Sequence, residues 1–195
     1  MRTTILLDSG PLSQITHPRV NPHIRQWLTF IKTQRWIVQI PEICDYEVRR
    51  ELLLHDFDKS IGRLNQFRQR KQLLAITSET LLTAAEIWAW IRAKGQSTKD
   101  DRALDVDVIL IAQAIAQQEL FERVIVVTTD RDIVRFEEFG LRTWFWKQAL
   151  SDGQYGEVNL HQTQLNSLLR FGFKTCSAVR SNWIWRRFGS WQVGD

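Results

Sequence analysis

The sequence predicts an α/β fold, with a central, mostly parallel sheet and helices on both of its faces. Three observations carry this. Strand-like and helix-like segments alternate from Thr3 to Trp146, the pattern of successive βα units. The run Arg123–Thr128, RVIVVT, is almost continuously apolar and β-branched, which suits a strand buried on both faces of a parallel sheet. In Leu104–Gln118, LDVDVILIAQAIAQQ, Val108, Ile111, Ala112 and Ile115 recur at helical spacing among small apolar residues. A helix of that composition lies deep, against a sheet.

The elements follow in order. Thr3–Leu7 is a short β-branched run, and Asp8-Ser9-Gly10-Pro11 after it reads as a turn. Pro22–Thr33 places Ile24, Trp27, Leu28 and Ile31 along one helical face. Trp36–Ile40 reads as a second strand, and Pro41 as the first residue of the next helix. Along that helix Ile43, Tyr46, Glu47, Glu51 and Leu54 fall near one side, and the charged Glu42, Asp45, Arg49, Arg50 and Glu51 read as solvated. Phe57–Leu74 is basic and amphipathic: Ile61, Leu64 and Phe67 point inward, while Lys59, Arg63, Arg68, Arg70 and Lys71 point outward. Leu73–Ile76 is short and strand-like. Ser78 reads as the cap of a helix whose stripe is Leu81, Leu82, Ala85, Trp88 and Ile91. Ala93–Ala103, AKGQSTKDDRA, is a polar loop leading into the long apolar helix. Leu141–Trp146 closes the alternation as a last strand. Residues 1–150 therefore form one expected domain, and 151–195 an irregular extension rich in Trp and Arg. Arg with aromatics can stack on bases; a poorly ordered terminus is the alternative.

Composition narrows the function classes. Of the 195 residues 44% are hydrophobic, enough for a sizeable single core. The formal net charge is +4, which permits a polyanionic partner without requiring one. Cys44 and Cys176 lie far apart and form no CxxC, so both read as free thiols of a reducing compartment. No apolar run reaches the ~18 residues of a membrane span, and the expected location is cytoplasmic. His17, His23, His55 and His161 are scattered, which disfavours zinc. No Gly-rich phosphate loop is present.

Four acids stand out by placement. Asp8 follows the first strand, and Glu47 lies in the helix after the second. Asp107 opens the apolar helix, and Asp130 follows the strand at 123–128. In a parallel sheet all four fall on the carboxyl edge, where sites form. Carboxylates brought together repel unless a cation neutralises them, and oxygen-only ligands suit Mg²⁺ or Mn²⁺. Asp105 reads as an N-cap, with Leu104 and Ile109 as a hydrophobic staple. Asp107 shares its face with Ile111 and Ala114. Asp105 and Asp132 each stand two residues from a quartet member, so both positions keep two candidate ligands.

These residues carry a resemblance. ILLDSGPL, PEICDYEVRREL, LDVDVILIAQAIA and VIVVTTDRDIVRF resemble, in order, the four acidic motifs of PIN-domain nucleases. The chain over about 3–146 is similar to VapC-like toxins of type II toxin–antitoxin pairs. The resemblance implies a three-layer α/β/α fold and an Mg²⁺-dependent ribonuclease. Its acidic quartet maps onto Asp8, Glu47, Asp107 and Asp130, which would both bind metal and carry catalysis, with Asp105 and Asp132 as further ligands. It also implies an RNA substrate, an antitoxin partner and a homodimer. The ion would activate a water and stabilise charge on the phosphate. Ser9, Lys99, Arg102 and Thr128 are candidate RNA contacts, with the basic 59–71 face. Two other classes compete. One is a non-catalytic PIN-like module that docks RNA or a partner. The other is an aspartate-nucleophile phosphatase, for which Gly10 stands where a second Asp is wanted.

Overall fold

The computed structural model describes residues 2–93, 101–131, 137, 139–156 and 158. Lys99, Asp132 and the extension beyond 158 lie outside these residues, as does the side chain of Arg102. Five strands form one sheet in the order β3-β2-β1-β4-β5, with every pairing parallel. They are β1 (Thr3–Leu7), β2 (Ile37–Pro41), β3 (Leu73–Leu74), β4 (Arg123–Thr128) and β5 (Arg142–Phe145). Every residue of β1 is buried, as are the last five of β4. Successive side chains of a strand point to opposite faces, so the sheet is covered on both sides. This is the expected three-layer α/β/α arrangement. Between the strands run α1 (Ser9–Thr16), α2 (Pro22–Thr33), α3 (Glu42–Leu54), α4 (Asp58–Gln69), α5 (Ser78–Ala93) and α6 (Asp101–Gln117), and α7 (Trp146–Tyr155) follows β5.

Several local expectations shift. Asp8-Ser9-Gly10-Pro11 makes no turn; α1 begins at once, with Asp8 as its N-cap. Pro11 is tolerated there because the first-turn amides have no partner within the helix. Pro41 ends β2 rather than opening α3. On α3 the buried residues are Ile43, Cys44, Asp45 and Val48, while Tyr46 and Leu54 are exposed. The charged Asp45 turns inward because Arg49 neutralises it, with Nε and Nη2 each 2.9 Å from a carboxylate oxygen. The same guanidinium reaches Asn65 on α4 at 2.8 Å. Glu42 is likewise not simply solvated: its carboxylate accepts from the Ile76 amide at 3.0 Å.

On α5 the buried stripe is Thr80, Ala84, Ile87 and Ile91, and Leu81, Leu82 and Trp88 are exposed. That helix is apolar on more than one side, so periodicity alone does not fix which side meets α6. Its cap is Thr77, whose hydroxyl accepts from the Thr80 amide at 3.1 Å. The helix α6 is tied to β3 by Gln113, whose amide donates to the Leu74 carbonyl at 2.6 Å. No helix among the described residues is long and apolar enough to cross a membrane.

The side of the sheet near β5 is fixed by tryptophans. Trp27 of α2 is fully buried, with its ring centroid 6.1 Å from Trp144 and 5.1 Å from Trp146. Trp36 packs edge-on to Trp144 at 6.2 Å. The Trp144 indole donates to Asp152 at 3.0 Å, and Trp146 donates to Gln14 at 2.9 Å. Helix α7 thus runs through residue 150, where the first domain was expected to end. Asp152 and Gly153, both past that point, belong to this packing. A Cβ at Gly153 would stand 2.9 Å from the Trp27 Cα, too close without backbone movement. Gly153→Ala is therefore expected to destabilise the fold by about 1–3 kcal/mol, as overpacking does. Urea unfolding measures it, and an unchanged midpoint would show that α7 can slide away from α2.

Candidate functional site

The chain runs from β1 outward to β2 and β3, then returns to β4 on the other side of β1. A reversal of this kind opens a crevice at the carboxyl ends of the two central strands. Asp8 stands there. Its amide donates to the Val127 carbonyl at 3.0 Å, extending the β1–β4 ladder by one step. Its carboxylate is buried, at 7% exposure. One oxygen accepts from the Ser9 amide at 2.7 Å and from the Ser9 hydroxyl at 3.3 Å. The other accepts from the Thr128 hydroxyl at 2.6 Å. Thr128 in turn accepts from the Asp130 amide at 2.8 Å, which folds the chain after β4 back toward the crevice. Gly10 completes the join, because any Cβ there would run into the Thr129 side chain. Position 10 is thus a packing glycine and carries no second acid of the kind an aspartate-nucleophile phosphatase wants.

Three of the four expected acids act on one place. Burial pushes the Cys44 thiol well above its ordinary range, and the charges of Asp8, Glu47 and Asp107 push it further, against a hydrogen bond from the Ser9 backbone. Cys44 lies one turn before Glu47 on α3, fully buried at the floor of this acidic region. Burial also raises the Asp8 carboxyl; the Thr128 and Ser9 hydrogen bonds pull it back, and the Glu47 charge adds to the rise. Glu47 has a second neighbour, Arg50, at 3.8 Å. That is a loose, half-exposed ion pair rather than a hydrogen bond, and such pairs contribute little.

The remaining candidates fall into place less closely. Asp107 is half-buried and shares its face with the buried Ile111 and Ala114, whereas Asp105 is exposed. Asp105 caps nothing, because α6 begins at Asp101. Asp130 is exposed at the rim. Thr128 is fully buried, so it positions Asp8 rather than touching RNA, and Ser9 is likewise bonded to Asp8. Lys99 and Asp132 lie outside the described residues, and Arg102 is placed only as backbone in the first turn of α6. Cys44 escaped notice as a site neighbour because a lone cysteine on a helix carries no motif; its position three residues before Glu47 was the available signal. Among the described residues no three His, Cys, Asp or Glu side chains are grouped tightly enough to hold a metal ion.

Solved structures share this architecture. A chain in the crystal structure of VapBC2 from Rickettsia felis bound to a DNA fragment from their promoter matches with a TM-score of 0.58 at 14% identity, covering 73% of this chain and 98% of that one. The fold is PIN-like. FitAcB from Neisseria gonorrhoeae matches with a TM-score of 0.52 at 18% identity, over 72% of this chain and 96% of that one. FitAB bound to the IR36 DNA fragment gives 0.51 and 18%, over 72% and 94%. No family model matches the sequence, and no curated protein matches it.

The Asp8 environment sets a pH dependence for this PIN-like fold. A carboxyl raised above its unfolded value of 3.8 favours the folded state while protonated. That contribution is complete below the unfolded value and is lost as pH rises through the folded one. Asp8→Asn abolishes this loss. In metal-free buffer the melting temperature of the variant minus that of the parent chain is expected to grow from about pH 4 toward neutrality. A difference that is flat with pH would show that Asp8 is not strained by ionising.

Proposed function

We propose that the chain is a divalent-metal-dependent endoribonuclease, acting as the toxin of a type II toxin–antitoxin pair. The observation that carries this is the Asp8 carboxylate, buried at the switch point under the charge of Glu47, with no cationic side chain bonded to it among the described residues; the charges of Glu47 and Asp107 both reach Cys44 nearby. Hard oxygen donors whose ionised forms disfavour one another suit Mg²⁺ or Mn²⁺. Asp8, Glu47 and Asp107 would hold the ion, with Asp130 at the rim. The set is not preassembled, so binding would have to draw the carboxylates together. When bound, such an ion activates water and neutralises charge on a phosphate. The residues of the chain do the rest. Thr128 and Ser9 fix both oxygens of Asp8, and the buried Cys44 keeps water from the floor of the site. The likeness to chains of VapBC2 and FitAB complexes supports a protein antitoxin as partner.

The ungrouped carboxylates favour one second reading, a PIN-like module that binds RNA or a partner without cutting. RNA cleavage assays with Mg²⁺ and with chelator separate the two. Changing the outer partners of a metal ligand already lowers activity by about 10–100-fold. Asp8→Asn, Glu47→Gln and Asp107→Asn should therefore each lower metal-dependent cleavage by about 100-fold or more. Asp105→Asn should retain it. Mg²⁺ should raise the melting temperature of the parent chain and leave that of Asp8→Asn unchanged. A parent chain that binds RNA but never cuts it would establish the second reading. Loss of cleavage in Asp105→Asn with Asp107→Asn intact would reverse the assignment on α6.

A further inference from the structure

A cleft of about 590 Å³ lies between the turn that joins α1 to α2 and the helix α4. It is lined by Pro18, Arg19, Lys59, Gly62, Arg63 and Gln66: three cations, no acid and a single apolar side chain. Lys59, Arg63 and Gln66 share one face of α4 by helical spacing. Arg63 is fixed at the wall, its Nη1 donating to the His17 carbonyl at 2.6 Å and its Nη2 to the Pro18 carbonyl at 3.0 Å. Carbonyls order the guanidinium but carry no net charge, so its positive charge remains. Among the described residues no carboxylate forms an ion pair with Arg19, Lys59 or Arg63. The floor is Gly62, where an added Cβ would meet nothing within 4 Å.

We propose that this cleft binds the sugar–phosphate backbone of single-stranded RNA, with Arg19 and Lys59 on phosphates and Gln66 at a ribose hydroxyl. The proposal rests on the ribonuclease reading and adds where its substrate is gripped. Concentrated positive charge without acids is the footprint of phosphate contacts. The Gln66 amide offers a donor and an acceptor, matching the 2′-hydroxyl. An acidic protein partner fits less well, because protein interfaces build on an apolar core, and only Pro18 is apolar here.

The test measures binding of a short labelled single-stranded RNA to the full chain in chelator, where metal-dependent cutting cannot occur. The Arg19→Gln/Lys59→Gln double variant removes two charges, while Gly62→Glu places a carboxylate in the open floor. The double variant should bind about tenfold or more weakly at low salt, and its salt slope should fall by about 1.4, near 0.7 per lost phosphate contact on a single strand. Gly62→Glu should also weaken binding with a circular-dichroism melt no lower than that of the parent chain, since helical glycine at an open position gains from a side chain. If the parent chain cuts RNA with Mg²⁺ but both variants keep its affinity and slope, the cleft assignment is wrong and the ribonuclease reading stands. If the parent chain neither cuts nor binds RNA, the ribonuclease reading fails and takes the cleft with it. Polyglutamate displacing RNA from the parent chain but not from the double variant, at lower concentration than unlabelled RNA, would make the cleft a site for acidic protein. DNA of the same sequence binding as tightly as RNA would remove the ribose contact from Gln66.

Discussion

The arrangement depends on one carboxylate held between two parallel strands. Asp8 extends the β1–β4 ladder through its backbone while its side chain is gripped from both sides, by Ser9 and by Thr128. Ser9 is the next residue and caps locally, but Thr128 could not be there without the switch in strand order, which seats β4 directly beside β1. The same hydroxyl of Thr128 holds the Asp130 amide, so the loop after β4 is oriented by the residue that fixes Asp8. At Gly10 the start of α1 meets that loop with no space between them. Strand pairing, helix capping and loop direction are thus parts of one hydrogen-bonded unit.

The environment around this unit explains why α3 turns as it does. Placing Cys44 and Val48 inward brings Glu47, the neighbour of both on the helix, to the border between core and solvent. A small thiol allows α3 to approach Ser9 closely. Asp45 would be an obstacle on the same inner side, but the forked contact with Arg49, itself bonded to Asn65, converts it into a tie between α3 and α4. Such bidentate pairs are the geometry in which a buried charge is tolerated.

Much of this was legible in the sequence, and the parts that were not fail for physical reasons. The strands at Thr3–Leu7 and Arg123–Thr128 and the helix at Pro22–Thr33 appear where the residues place them, because a β-branched run and a proline-opened amphipathic stretch each have one good solution. The face of α3 was misread because charged residues were assumed to lie outside, and Asp45 and Glu42 do not. The face of α5 was misread because Leu81, Leu82 and Trp88, which are exposed, are as apolar as the residues that are buried. On α6 the helix phase read from the sequence is the one observed: Asp107 is half-buried and Asp105 is exposed. The buried role of Thr128 was missed, since a threonine at a strand end reads equally well as a surface hydroxyl.

Among the described residues three acids lie in the interior, and they differ in what neutralises them. Asp45 has Arg49. Asp152 accepts from the Trp144 indole and the Gln148 amide in a packed corner of the fold. Asp8 has two hydroxyls and one amide, the nearby like charge of Glu47, and burial that disfavours its ionised form. As a helix cap alone, an asparagine would accept the Ser9 amide as well, without a charge to desolvate. The second oxygen is used as well: it accepts from the Thr128 hydroxyl, which itself accepts from the Asp130 amide, and an amide nitrogen in its place could not accept that hydroxyl.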